Sequence, residues 1–196
     1  MVLNFKLYLS IIAAIVGIVG YFPYVRDIFS HKTKPHLYTW LIWLITTSTA
    51  MFGVIYGGGG WGAVSLGAYA VLILGIFLFS FKYGTKNISK SDTAILVLAL
   101  VAVIFWGQFK QPLVSVLMVT LIDFFGYIPS FRKTFINPWS ETPVSWLLFA
   151  ISNLLTILAL KEYNLLTTTY LVVIACANVV MFLISYFRRH YVVNNH

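Results

Sequence analysis

Gly20-Tyr21-Phe22-Pro23-Tyr24-Val25-Arg26-Asp27-Ile28-Phe29 and Gly126-Tyr127-Ile128-Pro129-Ser130-Phe131-Arg132-Lys133-Thr134-Phe135 are two copies of one segment. Gly, Tyr, Pro, Arg and Phe coincide at a constant offset, and each copy closes an apolar run. A further proline follows each copy, Pro35 in the first and Pro143 in the second, with a slightly longer loop expected in the second. A chain that repeats such a segment is built from two related units, and everything between the copies has to be read against that.

Outward from these segments the chain divides into seven apolar stretches, near 7–28, 37–56, 62–82, 92–109, 111–132, 143–160 and 165–187. Each is about the 20 residues a helix needs to cross a ~30 Å hydrocarbon layer. None alternates as a barrel strand would, so helices are the expected form. The fourth stretch is expected to be the shortest, capped by Ser91 or Asp92 and ending at the interfacial Trp106. Composition agrees: 60% of the residues are hydrophobic and 9% charged, where soluble domains carry about 25% charged residues. The expected fold class is an all-α integral membrane protein of seven transmembrane helices.

Three helices per repeat would invert the second copy, so a single extra span restores a parallel arrangement. Residues 1–84 are then a first three-helix bundle, 85–110 a linker helix, and 111–196 a second three-helix bundle with a short tail. The apolar stretch after Lys6 could pass for a signal peptide, but its recurrence as a repeat makes it span one.

Lys and Arg residues are distributed unevenly over the ends of these spans. Arg26, Lys32, Lys34, Lys82, Lys86, Lys90, Arg132, Lys133, Arg188 and Arg189 fall on one face, and only Lys6, Lys110 and Lys161 on the other. The positive-inside rule then places the C-terminus in the cytoplasm and the N-terminus outside, in a multi-pass protein of the cell membrane. The net charge of +8 is read as this topology signal; no nucleic-acid motif accompanies it, and no nucleic-acid partner is expected. The sequon Asn87-Ile88-Ser89 falls on the inner face, where it would not be modified. Gly57-Gly58-Gly59-Gly60 lacks the Gly-Lys-Ser/Thr of a phosphate loop and reads as a tight turn between helices.

The two Gly-Tyr-x-Pro-x-x-Arg segments, the four prolines and the 3+1+3 layout resemble the PQ-loop superfamily, most closely the SWEET-like transporters. The chain departs from the family pattern after the helix proline, where Tyr24 and Ser130 stand in place of a frequent glutamine. The resemblance implies that Pro23, Pro35, Pro129 and Pro143 act as hinges near an inner gate. It also implies that Asn178, matching an asparagine of the last helix, binds substrate, while span three offers Tyr69 where the first bundle would carry its own. Proline chemistry supports hinges at Pro23 and Pro129 independently, because each removes a helix bond and crowds the carbonyl four residues earlier, Val19 or Phe125. The plainer alternative is that the prolines only begin and end spans.

Asp123 lies about twelve residues into span five, ~18 Å deep at 1.5 Å per residue. An aspartate at that depth costs roughly 2.5–3.5 kcal/mol and must face protein or a wet cavity. No Lys or Arg stands at midspan to pair with it, so a proton-coupling carboxylate is expected; a structural acid bonded across a helix interface is the alternative. Asn178, Ser152, Asn153, Thr46, Thr47, Ser48 and Thr49 fall near the same level and suit a hydrogen-bonding solute such as a sugar or nucleoside. Asn178, Asn153, Trp43, Tyr69 and Thr47 are the candidate binding residues. Ser152, Asn153 and the threonines also read as bonds between or within helices. Trp40 and Trp146 are expected in an interfacial belt, and only Trp43 deep enough to line a cavity. Cys176 is expected as a small buried packing residue.

His31, His36, His190 and His196 show no metal-ligand spacing, and no cofactor or metal is expected. No catalytic constellation shares a depth, so the chain is not expected to be an enzyme. The leading expectation is a facilitator or proton-coupled carrier working by alternating access. The other is a receptor or sensor of PQ-loop-like fold that binds without transport; a retinal receptor is set aside for want of a midspan lysine. The bilayer and a small-molecule substrate are the expected partners, and a homo-oligomer is compatible with the layout.

Overall fold

The computed structural model describes residues 2–30, 35, 37–84, 90–136, 138–140 and 142–192. Among them are seven α-helices: α1 Val2–Phe29, α2 Leu37–Tyr56, α3 Ala63–Tyr83, α4 Lys90–Phe109, α5 Pro112–Ile136, α6 Pro143–Ala159 and α7 Leu165–Phe187. Short 3-10 turns at Gly60–Gly62, Pro138–Ser140 and Arg188–His190 complete the described elements. His31, His36, His196, Lys32, Lys34, Lys86 and the Asn87-Ile88-Ser89 sequon lie outside the described residues.

The helix ends follow local chemistry. At the start of α7 the Asn164 side chain accepts from the backbone N–H of Leu166 and Thr167, at 3.0 and 3.2 Å, while Thr167 Oγ1 accepts from Asn164 N at 3.0 Å. This reciprocal capping box satisfies groups that an apolar surrounding would leave orphaned. α4 ends where Lys110 enters the left-handed region at φ 51°, and Pro112 then opens α5 at a position where its missing N–H costs nothing. Contrary to expectation, α4 is not the shortest helix. It has 20 residues, starting at Lys90 ahead of Ser91 and continuing past Trp106 to Phe109, whereas α6 has 17. α6 is short because Pro143 is its first turn and Leu160 already turns extended at its C-cap, with ψ 136°.

Two of the four prolines are inside helices. α1 continues through Pro23 to Phe29 and α5 through Pro129 to Ile136. Pro35 precedes α2 outside any helix and Pro143 is the first residue of α6. The expected longer second loop is corrected here: Gly20 and Gly126 stand 106 residues apart, and so do the helix starts Leu37 and Pro143. Pro35 and Pro143 therefore occupy different positions relative to their helices, one in the approach and one in the first turn.

Successive helices run in opposite directions. At one end the Lys6 ammonium at the start of α1 bonds the Leu160 carbonyl past the end of α6, and Asn164 Nδ2 donates to the Gly57 carbonyl at 2.7 Å. At the other, Arg188 and Arg189 after α7 donate to the carbonyls of Phe135 and Pro138 and lie over the rings of Phe135 and Trp139. α3 packs between α1 and α2, and α7 between α5 and α6. The two groups meet reciprocally, α1 on α6 and α2 on α5, with α2 also touching α7; α4 lies against α5 and α2. The Gly57–Gly62 turn takes φ of 79° at Gly58 and 60° at Gly60, which only glycine adopts freely. It docks on the α6–α7 connection, where Lys161 N donates to the Gly59 carbonyl at 2.8 Å.

The polarity of this fold is inverted relative to a soluble protein. Ile12, Ile15, Val19, Phe22, Val97, Leu98, Ile104, Leu154 and Leu158 are exposed, while Thr46, Ser65, Ser115, Thr120, Asp123, Ser152, Thr156 and Asn178 are buried. Four stretches, Phe5–Arg26, Leu37–Tyr56, Gly60–Tyr83 and Leu165–His190, are long and apolar enough to cross a bilayer, and the remaining helices carry shorter apolar stretches. The protein is membrane-embedded and multi-pass. Cys176, expected to be buried, faces outward on α7, because Ala175, Ala177 and Asn178 take the inward positions of that turn.

The close approach of α1 and α3 yields a test. A Cβ at Gly17 would overlap the ring of Tyr69, whereas one at Gly75 meets nothing within 4 Å. Gly17→Val is expected to cost about 1–3 kcal/mol as an overpacking change, and Gly75→Ala to leave stability unchanged or slightly raised. Thermal unfolding of the purified protein in detergent compares the two, and equal melting temperatures would contradict the packing described.

Candidate functional site

A cavity of about 150 Å³ opens between six of the seven helices, and α4 contributes nothing to its wall. α1 supplies Tyr21, α2 Trp43 and Thr47, and α3 Leu66, Tyr69 and Ile73. From the second group come Asp123, Gly126, Tyr127 and Ser130 of α5, Trp146, Phe149 and Asn153 of α6, and Tyr170, Ile174 and Asn178 of α7. At the end of the molecule that carries Lys6 and the glycine turn, a packed cluster including Ala50, Val54, Ala63, Val116, Val119, Leu160 and Leu171 closes the interior. Towards the other end the wall continues through Tyr21, Ser130 and Trp146, in the last turns of α1 and α5 and the first turn of α6.

Asp123 is 6% exposed and borders this cavity. Tyr170 Oη donates to its Oδ2 at 2.7 Å, and Thr47 Oγ1 lies 3.5 Å from the same tyrosine oxygen. Thr46 is a further polar neighbour, its hydroxyl donating to the Trp43 carbonyl at 3.2 Å. The other carboxylate oxygen, Oδ1, is buried with no hydrogen-bond partner among the described residues. A native interior leaves few such atoms, and an unmet one in a cavity wall points to something the site is built to receive.

A second polar group faces the same space. Tyr127 Oη donates to Asn178 Oδ1 at 3.0 Å, tying α5 to α7. The Asn153 amide donates to the Phe149 carbonyl at 2.8 Å, inside its own helix. Tyr69 Oη donates to the Ala13 carbonyl at 2.9 Å and also meets Ser152 Oγ, which itself donates to Ala13 at 2.7 Å. Ser152 thus joins α6 to α1, while Thr49 bonds the Ile45 carbonyl within α2. Around the cavity runs a chain of rings: Tyr69 to Tyr21 at 6.4 Å between centroids, Tyr21 to Phe149 at 4.8 Å, Phe149 to Trp146 at 6.0 Å and Trp146 to Tyr127 at 6.0 Å.

All six polar and aromatic candidates read from the sequence, Asp123, Asn178, Asn153, Trp43, Tyr69 and Thr47, come together on this one cavity. Pro23, Pro35 and Pro143 are not among its lining residues, and the side chain of Pro129 lies outside the described residues. Two aromatic expectations are corrected: Trp40 is 3% exposed, packed on Trp43 with its indole donating to Tyr24 Oη at 3.3 Å, and Trp146 lines the cavity. Both are turned inward because α2 and α6 pack their first turns against α1 or α5. Tyr21, Tyr127, Phe149, Ser130 and Tyr170 were not singled out by sequence reasoning. For most of them a signal was present: the 106-residue offset also matches Trp40 with Trp146, Trp43 with Phe149, Thr46 with Ser152 and Thr47 with Asn153. Extending the repeat into the second helix would have found the aromatic wall. Tyr170 carries no such signal.

Among the described residues no group of His, Cys, Asp and Glu is placed to hold a metal ion. No known protein family, curated protein or solved structure matches the chain.

The shape of the cavity predicts a labelling pattern. With Cys176 replaced by serine, Ser130→Cys is expected to react with a water-soluble charged thiol reagent in the folded protein, and Val54→Cys, within the packed cluster, to resist it. The reverse order of rates would place the opening at the wrong end.

Proposed function

We propose that this protein is a membrane carrier of a small polar solute, with sugars and nucleosides as the first solutes to test. In this reading all seven helices cross the membrane. α1–α3 and α5–α7 are two parallel repeats of a PQ-loop, SWEET-like fold, and α4 is the span that keeps them parallel. The C-terminus lies in the cytoplasm, on the side of Arg26, Arg188 and Arg189. The observation that carries the reading is the single cavity shared by both repeats, bordered by the buried carboxyl of Asp123 and by Asn178. Carriers with internal repeats hold substrate between the halves near the midplane and exchange access by rocking one half on the other.

The reciprocal contacts of α1 with α6 and of α2 with α5 supply surfaces for that rocking. Pro23 weakens α1 just past the lining residue Tyr21 and Pro129 weakens α5 between the lining residues Tyr127 and Ser130, where bending would open or close the Arg-rich end. Pro35 and Pro143 sit where those bends would be relayed to α2 and α6. Asp123 is the proton-coupling group of this mechanism. The titratable groups facing it are Tyr170 from α7, Tyr127 from α5 and Tyr21 from α1, and a phenol ordinarily gives up its proton only near pH ~10.

Reconstitution tests the proposal. Uptake of one solute from a panel of labelled sugars, nucleosides and amino acids is expected to saturate and to respond to a pH gradient. Asp123→Asn is expected to abolish the response to the gradient while leaving exchange at equal pH. Saturable binding of a solute with no counterflow for any of them would mean a receptor, and an unchanged pH dependence in Asp123→Asn would remove the carboxyl from the mechanism.

A further inference from the structure

The cavity has a composition that a neutral sugar does not need. Among the described residues its one charged group is Asp123, and no lysine, arginine or histidine with a described side chain lines it. Seven of the other fifteen lining residues are aromatic, and the rings of Tyr69, Tyr21, Phe149, Trp146 and Tyr127 form an unbroken arc drawn from four helices. The face of an aromatic ring carries negative potential and attracts a cation, most strongly where water is excluded.

The carboxylate itself is only half satisfied. Tyr170 occupies Oδ2, while Oδ1 has no partner among the described residues although the residue is 6% exposed. A cationic ligand resolves both the charge and the orphaned oxygen at once, since a buried charge is tolerated when paired. A carboxylate faced by aromatic rings, with no competing positive side chain among the described residues, is the chemistry of ammonium recognition.

The geometry points to a small organic monocation, a primary or quaternary ammonium compound, as the ligand of this cavity, with Asp123 as counter-ion and the aromatic arc as its apolar wall. The word substrate for that ligand rests on the carrier reading above; the binding itself does not. Small size follows from the volume, about 150 Å³. Asn178, held by Tyr127 across the cavity, is placed to orient a hydrogen-bonding tail on the ligand.

Choline and its uncharged tert-butyl isostere have the same shape and differ in charge, so they isolate the inference. Titrated into purified protein in detergent by calorimetry, choline or the smaller probe ethylammonium is expected to bind saturably, and choline on the order of tenfold or more tighter than the isostere. Asp123→Asn keeps the shape and is expected to bring the two affinities close together, with isostere binding retained as evidence of a folded site. Equal affinity of the wild type for choline and its isostere, or no saturable binding of either ammonium probe, overturns the inference without using the variant. The two readings fail separately: saturable uptake of a neutral sugar with no ammonium binding leaves the carrier and removes the cation site. Ammonium binding with no uptake of any solute leaves the site and removes the carrier.

Discussion

The hydrogen bond from Tyr170 to Asp123 stands at the centre of this structure, because a carboxyl so far from either helix end must be accommodated before the helices can close around it. Removing such a group from water costs several kcal/mol unless partners replace the hydration. One donor comes from α7, near its start, and a further polar neighbour from the middle of α2. Those two helices belong to different halves of the sequence, so a single buried acid on α5 draws both halves to one point. The remaining buried polar groups follow the same rule at lower cost. Ser65 meets Thr156 at 2.7 Å between α3 and α6, Ser115 donates to the Ala102 carbonyl at 2.6 Å between α5 and α4, and Ser152 donates to Ala13 between α6 and α1.

With apolar side chains on both the inside and the outside of the bundle, area burial discriminates poorly between helix faces, and close packing and hydrogen bonds take over. Gly17 shows the packing side: its missing side chain is the space in which the Tyr69 ring sits, and that contact brings Tyr69 Oη to Ala13 and Ser152. The glycine turn between α2 and α3 shows the same economy at the molecule's end. Its backbone carbonyls at Gly57 and Gly59 are taken by Asn164 and Lys161 of the opposite half. α4 touches α2 and α5, held to α5 through its Ala102 carbonyl, and among the described residues leaves the cavity to the other six helices.

The two halves are related in sequence but unequal at the cavity. Gly20 is covered by the Phe149 ring, whereas Gly126 has open space before it and lines the cavity. Thr47 is matched by Asn153 and Trp43 by Phe149. Asp123 is matched by Gly17, 106 residues earlier, and not by an acid. The second half therefore brings the charge and both amides, while rings and hydroxyls come from both halves. An asymmetric wall of this kind suits a ligand with two chemically different ends.

Sequence by itself determined the helices and their apolar character. Runs of about 20 hydrophobic residues punctuated by Gly, Pro and charged segments leave the backbone no other way to satisfy its hydrogen bonds in lipid, and all seven stretches were found within a few residues of the observed helices. That Asp123, Asn178 and Thr47 fall at a common level along their helices was likewise legible, because rise per residue is constant along a helix. What only the tertiary structure decided is direction around each helix axis. Cys176 faces outward and Trp40 inward because a helix that is apolar on every side carries no periodic signal for which side is covered. The partner of Asp123 could not be read either: Tyr170 lies 47 residues away in sequence, and nothing in its own neighbourhood marks it. Which residues share a cavity is a matter of how six helices cross, and that is settled by contacts between distant residues, not by any one stretch of chain.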